Sequence, residues 1–183
     1  KIPVTTNMMG LFNGLDYRRV AEVCDVIADD AYPCWYNTED NSGTGSYLSM
    51  VHDQHRTMKG GKPFMMMESC PSATNWQQYT RLKRPGVHKR EMLLAIAHGS
   101  DATMYFQYRK GMGSCEKLHG AVIDHVGNEN TRVFKEVAEI ACVEPAIRAQ
   151  GLRGQLRLAK IAGHDAGSFE ENSANPAFRQ RIS

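Results

Sequence analysis

The sequence predicts an α/β fold of about four βα units with parallel strands, which amounts to half of a (β/α)8 barrel. Three observations lead there. Short apolar or β-rich runs alternate with longer stretches of helical period, the pattern of repeated βα units around a parallel sheet. The most apolar run, Pro63-Phe64-Met65-Met66-Met67, is uninterrupted, as expected where both faces of a parallel strand are covered. Four units are too few to close eight strands, and an open four-stranded sheet would need helices on both faces to hide the same strands.

In chain order, the first strand is expected at Pro3-Val4-Thr5-Thr6-Asn7, followed by a helix that Asp16 caps, with Val20 and Val23 three apart on one face. The second strand is Asp25-Val26-Ile27-Ala28, ending in Asp29-Asp30 ahead of Tyr32-Pro33. A polar loop from Asn37 to Ser46 leads to a helix carrying Tyr47, Leu48, Val51 and Met58, which Gly60-Gly61 terminate. The third strand stops at Glu68. A helix bearing Met92, Leu93, Ile96 and Ala97 ends at Gly99 and precedes a fourth strand, Ala102 to Tyr108. The last helix begins near Asn130-Thr131 and repeats apolar residues at Val133, Phe134, Val137, Ile140 and Ala141. The periodicity fades after about Arg148, so residues 1–150 are expected to form the half-barrel and 151–183 a divergent tail or linker.

Composition narrows the function. With 42% hydrophobic residues, 183 residues suffice for one soluble domain or part of one. Lys+Arg 22 against Asp+Glu 20 gives a net charge of +2, spread along the chain, so neither nucleic acid nor an anionic membrane is an expected partner and a neutral substrate is. No apolar run approaches the roughly 18 residues that span a bilayer. The five cysteines, Cys24, Cys34, Cys70, Cys115 and Cys142, are widely spaced and contain no C-x-x-C pair, which points to a reducing, cytoplasmic setting rather than to disulfides or a zinc knuckle. Opening on Lys1, the chain is expected to be cut from something longer. No Gly-rich phosphate loop is present.

Sites in such barrels are built at the C-terminal ends of the strands, which makes the polar residue ending each apolar run the one to inspect. Glu68 stands out, because a rigid strand fixes its carboxylate at the edge of an apolar layer. A strand-capping acid with no chemistry is the plain alternative. Trp76, after a short turn, offers an indole against which a sugar could stack, although an isolated tryptophan is more often a packing residue.

The stretch Gly61-Lys62-Pro63-Phe64-Met65-Met66-Met67-Glu68-Ser69-Cys70-Pro71-Ser72-Ala73-Thr74-Asn75-Trp76 resembles the nucleophile segment of glycoside hydrolase family 42, the β-galactosidases. The likeness continues through Pro3-Val4-Thr5-Thr6-Asn7, Asp30-Ala31-Tyr32-Pro33, Leu82-Lys83-Arg84-Pro85-Gly86, Phe106-Gln107-Tyr108-Arg109 and Cys115-Glu116-Lys117-Leu118-His119-Gly120, and covers roughly residues 1 to 147. It implies the C-terminal half of a TIM barrel that hydrolyses terminal β-D-galactosides with retention, through a covalent galactosyl-enzyme on Glu68. It further implies sugar stacking on Trp76, hydroxyl binding by Glu116 and His119, and a tyrosine beside the nucleophile at Tyr32. On residue type alone, Glu116 would be an ordinary loop carboxylate and His119 a surface histidine.

The resemblance places the acid/base glutamate outside this chain, in an Asn-Glu pair after the fourth strand of the whole barrel. The Asn128-Glu129 pair here reads instead as the capped start of the last helix. No cofactor is expected; the structural zinc site of many relatives would lie in the missing N-terminal half, and none of the five cysteines matches its ligands. Intact enzymes of this kind are expected to be homotrimers. The Ala28-Asp29-Asp30-Ala31 approach to Tyr32 departs from the bulkier Trp-Asp-Asn type of the family and is expected to change one wall of the sugar pocket.

Two rival readings use the same residues. A non-catalytic galactoside-binding or scaffold fragment is consistent with a half-barrel, whose open strand edges invite association. A metal-dependent hydrolase would use His52, His55, His119, Asp124 and His125; His52 and His55 are three apart on a helix, a spacing that more often packs or faces solvent than binds metal.

Overall fold

The computed structural model describes residues 2–35, 40–78 and 80–149. The predicted tail, 151–183, lies outside the described residues. Eight elements follow in the order β1 (Asn7–Met8), α1 (Tyr17–Val23), β2 (Ala28–Ala31), α2 (Ser42–Thr57), β3 (Phe64–Ser69), α3 (Val87–Ala97), β4 (Ser100–Thr103) and α4 (Arg132–Ala149). The strands form one sheet in the order β1-β2-β3-β4, with every neighbouring pair parallel. Consecutive parallel neighbours joined by helices are the repeated βα arrangement that the apolar rhythm predicts.

Local chemistry explains most element ends. Asp16 accepts hydrogen bonds from the amides of Arg18 and Arg19 and so starts α1. α2 ends where Gly60 and Gly61 take positive φ of 62° and 79°, a conformation glycine adopts without the Cβ penalty. Thr131 Oγ1 accepts from the Phe134 amide and starts α4. Asn128-Glu129 does not open that helix: Asn128 Oδ1 accepts from the Asn130 amide in a turn that precedes it. α2 begins earlier than expected, at Ser42, because Asp40 accepts from both the amide and the hydroxyl of Ser42 and holds a Gly- and Ser-rich first turn in place.

The strands also differ from their expected bounds. β1 and β2 lie further along the chain than the first two apolar runs, although Asp25 and Val26 still donate to the Val4 carbonyl just upstream. β4 is shorter than Ala102 to Tyr108 and starts at Ser100; beyond it, Met104 and Phe106 donate to the carbonyls of Met66 and Ser69, and residues 107–110 pair with 120–123. Glu68 lies within β3 rather than after it, and Ser69 is the last strand residue.

The core sits between the sheet and its helices. Met8, Tyr17, Ala21, Ile27 and Phe64 form one buried cluster; Ala31, Leu48, Met66 and Ala95 form another. Each large side chain so buried contributes roughly 1.5–3 kcal/mol. α1 uses Tyr17 and Ala21 for this, with Val20 at the margin, whereas Val23 points to solvent, contrary to the expected Val20–Val23 face. In β3, Phe64 and Met66 are buried while the alternate residues Met65 and Met67 are only half-buried. The expectation that both faces of this strand are covered therefore holds for the helix side alone among the described residues.

Candidate active site

Parallel strands bring their C-terminal ends to one edge of the sheet, and the polar residues there meet over a single cavity. The register of β2 against β3 shifts between Asp29 and Asp30, so that Asp29 pairs with Met66 and Asp30 with Glu68. The two adjacent aspartates have different surroundings. Asp29 is fully buried against α2, with His52 Nδ1 at 3.4 Å and His55 Nε2 at 3.5 Å. Asp30 stands beside Glu68.

Glu68 is held at both oxygens. Asn7 Nδ2, from the first residue of β1, donates to Oε1 at 2.9 Å, and the Tyr32 hydroxyl donates to Oε2 at 2.6 Å. Asn7 Nδ2 also donates to Asp30 Oδ1 at 3.1 Å. Burial, reinforced by the neighbouring Glu68 carboxylate and only partly offset by the Asn7 hydrogen bond, pushes Asp30 up to about 7. Burial and the hydrogen bond to Glu68 push the Tyr32 phenol well above its ordinary value, so it remains a donor at any working pH.

Asp30, Tyr32, Glu68, Trp76, Glu116 and His119 all line a cavity of about 580 Å³, within the ~300–1,000 Å³ typical of small-molecule sites. The Trp76 indole is 59% exposed and meets Tyr32 edge-on at 5.3 Å between centroids. His119 is not the surface histidine its residue type suggests: it is 1% exposed, packed edge-on against Phe106 and Tyr32. Its Nδ1–H donates to the Gly120 carbonyl, which leaves Nε2 without a protein partner. Glu116 is half-buried in the loop that Asn75 ties down by donating to the Cys115 carbonyl.

A buried ion pair supports the two loops that carry Tyr32 and Trp76. Lys83 Nζ donates to Glu91 Oε2 and to the Cys70 carbonyl, both at 2.6 Å, while the Trp35 indole donates to the same Glu91 oxygen at 2.9 Å. Gln77 Nε2 links the loops directly through the Tyr32 carbonyl.

The residues named for a metal-dependent reaction are not brought together. His52 and His55 lie under the sheet with Asp29, His119 lies in the cavity, and Asp124 pairs with Lys110 while His125 Nε2 meets the Gly111 carbonyl. Among the described residues no group of three or more His, Cys, Asp or Glu is arranged to hold a metal ion. All five cysteines are free. No described helix is long and apolar enough to cross a membrane.

Two residues of this layer, Asn7 and Asp30, were not singled out as site residues in the sequence, although the rule that strand-ending polar residues build the site points at both. Nothing in the sequence marks Asp29, His52 and His55 as one buried group.

Comparison with known proteins agrees with this arrangement. Residues 1–143 match the glycoside hydrolase family 42 model, described as β-galactosidase. β-Galactosidase Pbg of Clostridium perfringens is 52% identical over 142 residues, which are 76% of this chain and 21% of that protein. GanA of Bacillus subtilis is 44% identical over 168 residues, 88% of this chain and 25% of that one. Among solved structures, the cold-adapted β-galactosidase of Rahnella sp. R3 matches with a TM-score of 0.78 and 52% identity over 79% of this chain and 21% of its own. That of Bacillus circulans sp. alkalophilus matches with 0.73 and 46% over 80% and 21%. The chain thus spans about a fifth to a quarter of the relatives it matches, and its parallel sheet is part of a (β/α)8 barrel. On these grounds the chain belongs to the β-galactosidases of glycoside hydrolase family 42.

Proposed function

We propose that this chain supplies the nucleophile side of a retaining β-galactosidase site. The observation that carries the reading is the double tether on Glu68, with Asn7 on one oxygen and Tyr32 on the other, at the wall of a sugar-sized cavity. Two hydrogen-bond donors, one on each oxygen, fix the direction of the carboxylate, as a nucleophile needs.

In the first step, Glu68 forms a bond to the anomeric carbon of a terminal β-D-galactoside. The bond from that carbon to the leaving oxygen breaks with its electron pair, and the oxygen takes a proton from a second carboxyl about 5 to 5.5 Å away. In the second step that group removes a proton from water, which attacks the same carbon and frees Glu68. The second carboxyl is assigned to the barrel segment that precedes this chain in its relatives. Trp76 presents an aromatic face to the apolar side of the sugar, Glu116 accepts from its hydroxyls, and the open Nε2 of His119 accepts one more. The Ala28-Asp29-Asp30-Ala31 approach to Tyr32 alters one wall of the pocket relative to the bulkier family pattern. The free thiols suit a cytoplasmic setting, and a homotrimer is the assembly that accompanies this reading.

The test is intact-mass analysis and peptide mapping after incubation with 2-fluoro-galactosyl fluoride, using this chain alone and joined to the preceding barrel segment. Label on Glu68 in the joined protein is the expected result. Folded protein without label at Glu68 in either form would sink the assignment and favour a non-catalytic galactoside-binding or scaffold role.

A further inference from the structure

The register shift in β2 has a chemical result. Two carboxyls, Asp30 and Glu68, become neighbours on adjacent strands, and the one amide nitrogen of Asn7 donates to both, at 3.1 Å and 2.9 Å. Like charges side by side on a sheet repel. We propose that Asp30 is a positioning residue for Glu68: the two carboxyls share the Asn7 amide, and loss of the negative charge on Glu68 during galactosylation is answered by loss of the proton from Asp30. This rests on the reading of Glu68 as nucleophile.

The groups around Asp30 support the exchange. Asn7 faces it from β1, Glu68 from β3, and Asp29 is its neighbour on β2. The Tyr32 hydroxyl is occupied by Glu68, while Glu116 and His119 line the same cavity. His52 and His55 of α2 are turned to Asp29. The Glu68 carboxylate is thus the nearest charge whose removal changes Asp30 most. Burial and that charge together hold Asp30 at about 7, so below neutrality it carries a proton. When Glu68 becomes an ester its charge is gone, Asp30 becomes more acidic, and just below neutrality it releases its proton to water. The leaving oxygen receives its proton separately, from the second carboxyl.

The test is a carboxyl ¹³C NMR titration of the full chain labelled at aspartate, with Asp30→Asn to assign the signal. Asp30 is expected to titrate near neutrality, to move down by about one unit in Glu68→Gln, and to move up in Asn7→Ala, which loses the one hydrogen bond favouring the charged form. An Asp30 signal that ignores Glu68→Gln overturns the proposal even if Glu68 is labelled by the fluoro-sugar. In the joined protein, the rate of labelling should show an inflection near pH 7 that Asp30→Asn removes; an inflection that survives this substitution also overturns it. Coupled titration with no label at Glu68 would instead leave the carboxyl pair intact and remove the nucleophile reading.

Discussion

Removing one member of the Lys83–Glu91 pair should cost far more than removing both. Glu91 is fully buried and Lys83 is 8% exposed, and Glu91 Oε2 takes hydrogen bonds from Lys83 Nζ at 2.6 Å and the Trp35 indole at 2.9 Å. Glu91→Leu alone would strand a buried ammonium and an indole N–H. Breaking a buried pair in this way costs about 3–5 kcal/mol. With a urea dependence of about 2 kcal/mol per molar, the unfolding midpoint should drop by roughly 2 M. Replacing both partners by apolar residues of similar size, Lys83→Met with Glu91→Leu, removes the stranded charge and should recover most of that loss. Urea unfolding followed by far-ultraviolet circular dichroism gives the four corners of the double-mutant cycle, with an expected coupling of about 2–3 kcal/mol. A double variant as unstable as the sum of the two single ones would refute the reasoning. It would mean that Lys83 acts through the Cys70 carbonyl and Glu91 through Trp35, without depending on each other.

Trp76→Ala should leave stability within about 0.5 kcal/mol, because the side chain is largely exposed, yet in the protein joined to the preceding barrel segment raise KM for a galactoside about tenfold from the loss of ~1–1.5 kcal/mol of stacking; an unchanged KM would remove the platform role. Gly120→Ala would place a Cβ against Ser72 Oγ, 2.7 Å from Cys70 Sγ and 2.8 Å from the Ala73 backbone nitrogen, so about 1–3 kcal/mol of overpacking should appear as a lowered thermal midpoint. Burial, with Lys83 nearby, holds His88 well below its ordinary value; its contribution to stability is therefore complete above about pH 6.5 and lost as pH falls below that, and His88→Leu should flatten this acid limb in urea titrations between pH 4 and 8. Asp30, raised in the fold, works with the opposite sign. Stability should decline as pH rises from about 4 to 7, and Asp30→Asn should be more stable than the parent at pH 8.

The alternation of strands and helices was legible because burial imposes it on composition: Phe64 and Met66 must be apolar to cover the helices, and Gly60-Gly61 must be glycines to reverse the chain. Strand bounds were less legible because a parallel strand ends where its neighbour stops pairing. The end of β2 depends on its partner Ser69, thirty-eight residues along the chain from Ala31. The same limit hid Asp30 from its partner Glu68. No local pattern encodes a register shift, and without the shift Ala31 would face Glu68 instead. His119 shows the reverse case, since a histidine in a polar loop is ordinarily exposed, and only the packing of Phe106 and Tyr32 around it removes it from solvent.

The Asp29-Asp30 pair shows why the candidate chemistry lies at this end of the sheet. Successive strand residues point to opposite faces, so two adjacent aspartates must serve two environments. Asp29 goes to the helix side, where it accepts from the Gly10 amide at 3.1 Å and lies against two buried histidines, fixing the turn after β1 to β2 and α2. That anchoring sets the place of Asn7 two residues before the β1 turn, and hence the amide that reaches both Glu68 and Asp30. A substitution under the sheet should therefore be felt above it: His52→Leu with the fold intact is expected to disturb the Asn7 bridge and move the Asp30 titration. An unchanged titration in a folded His52→Leu protein would show that the two faces of β2 are independent.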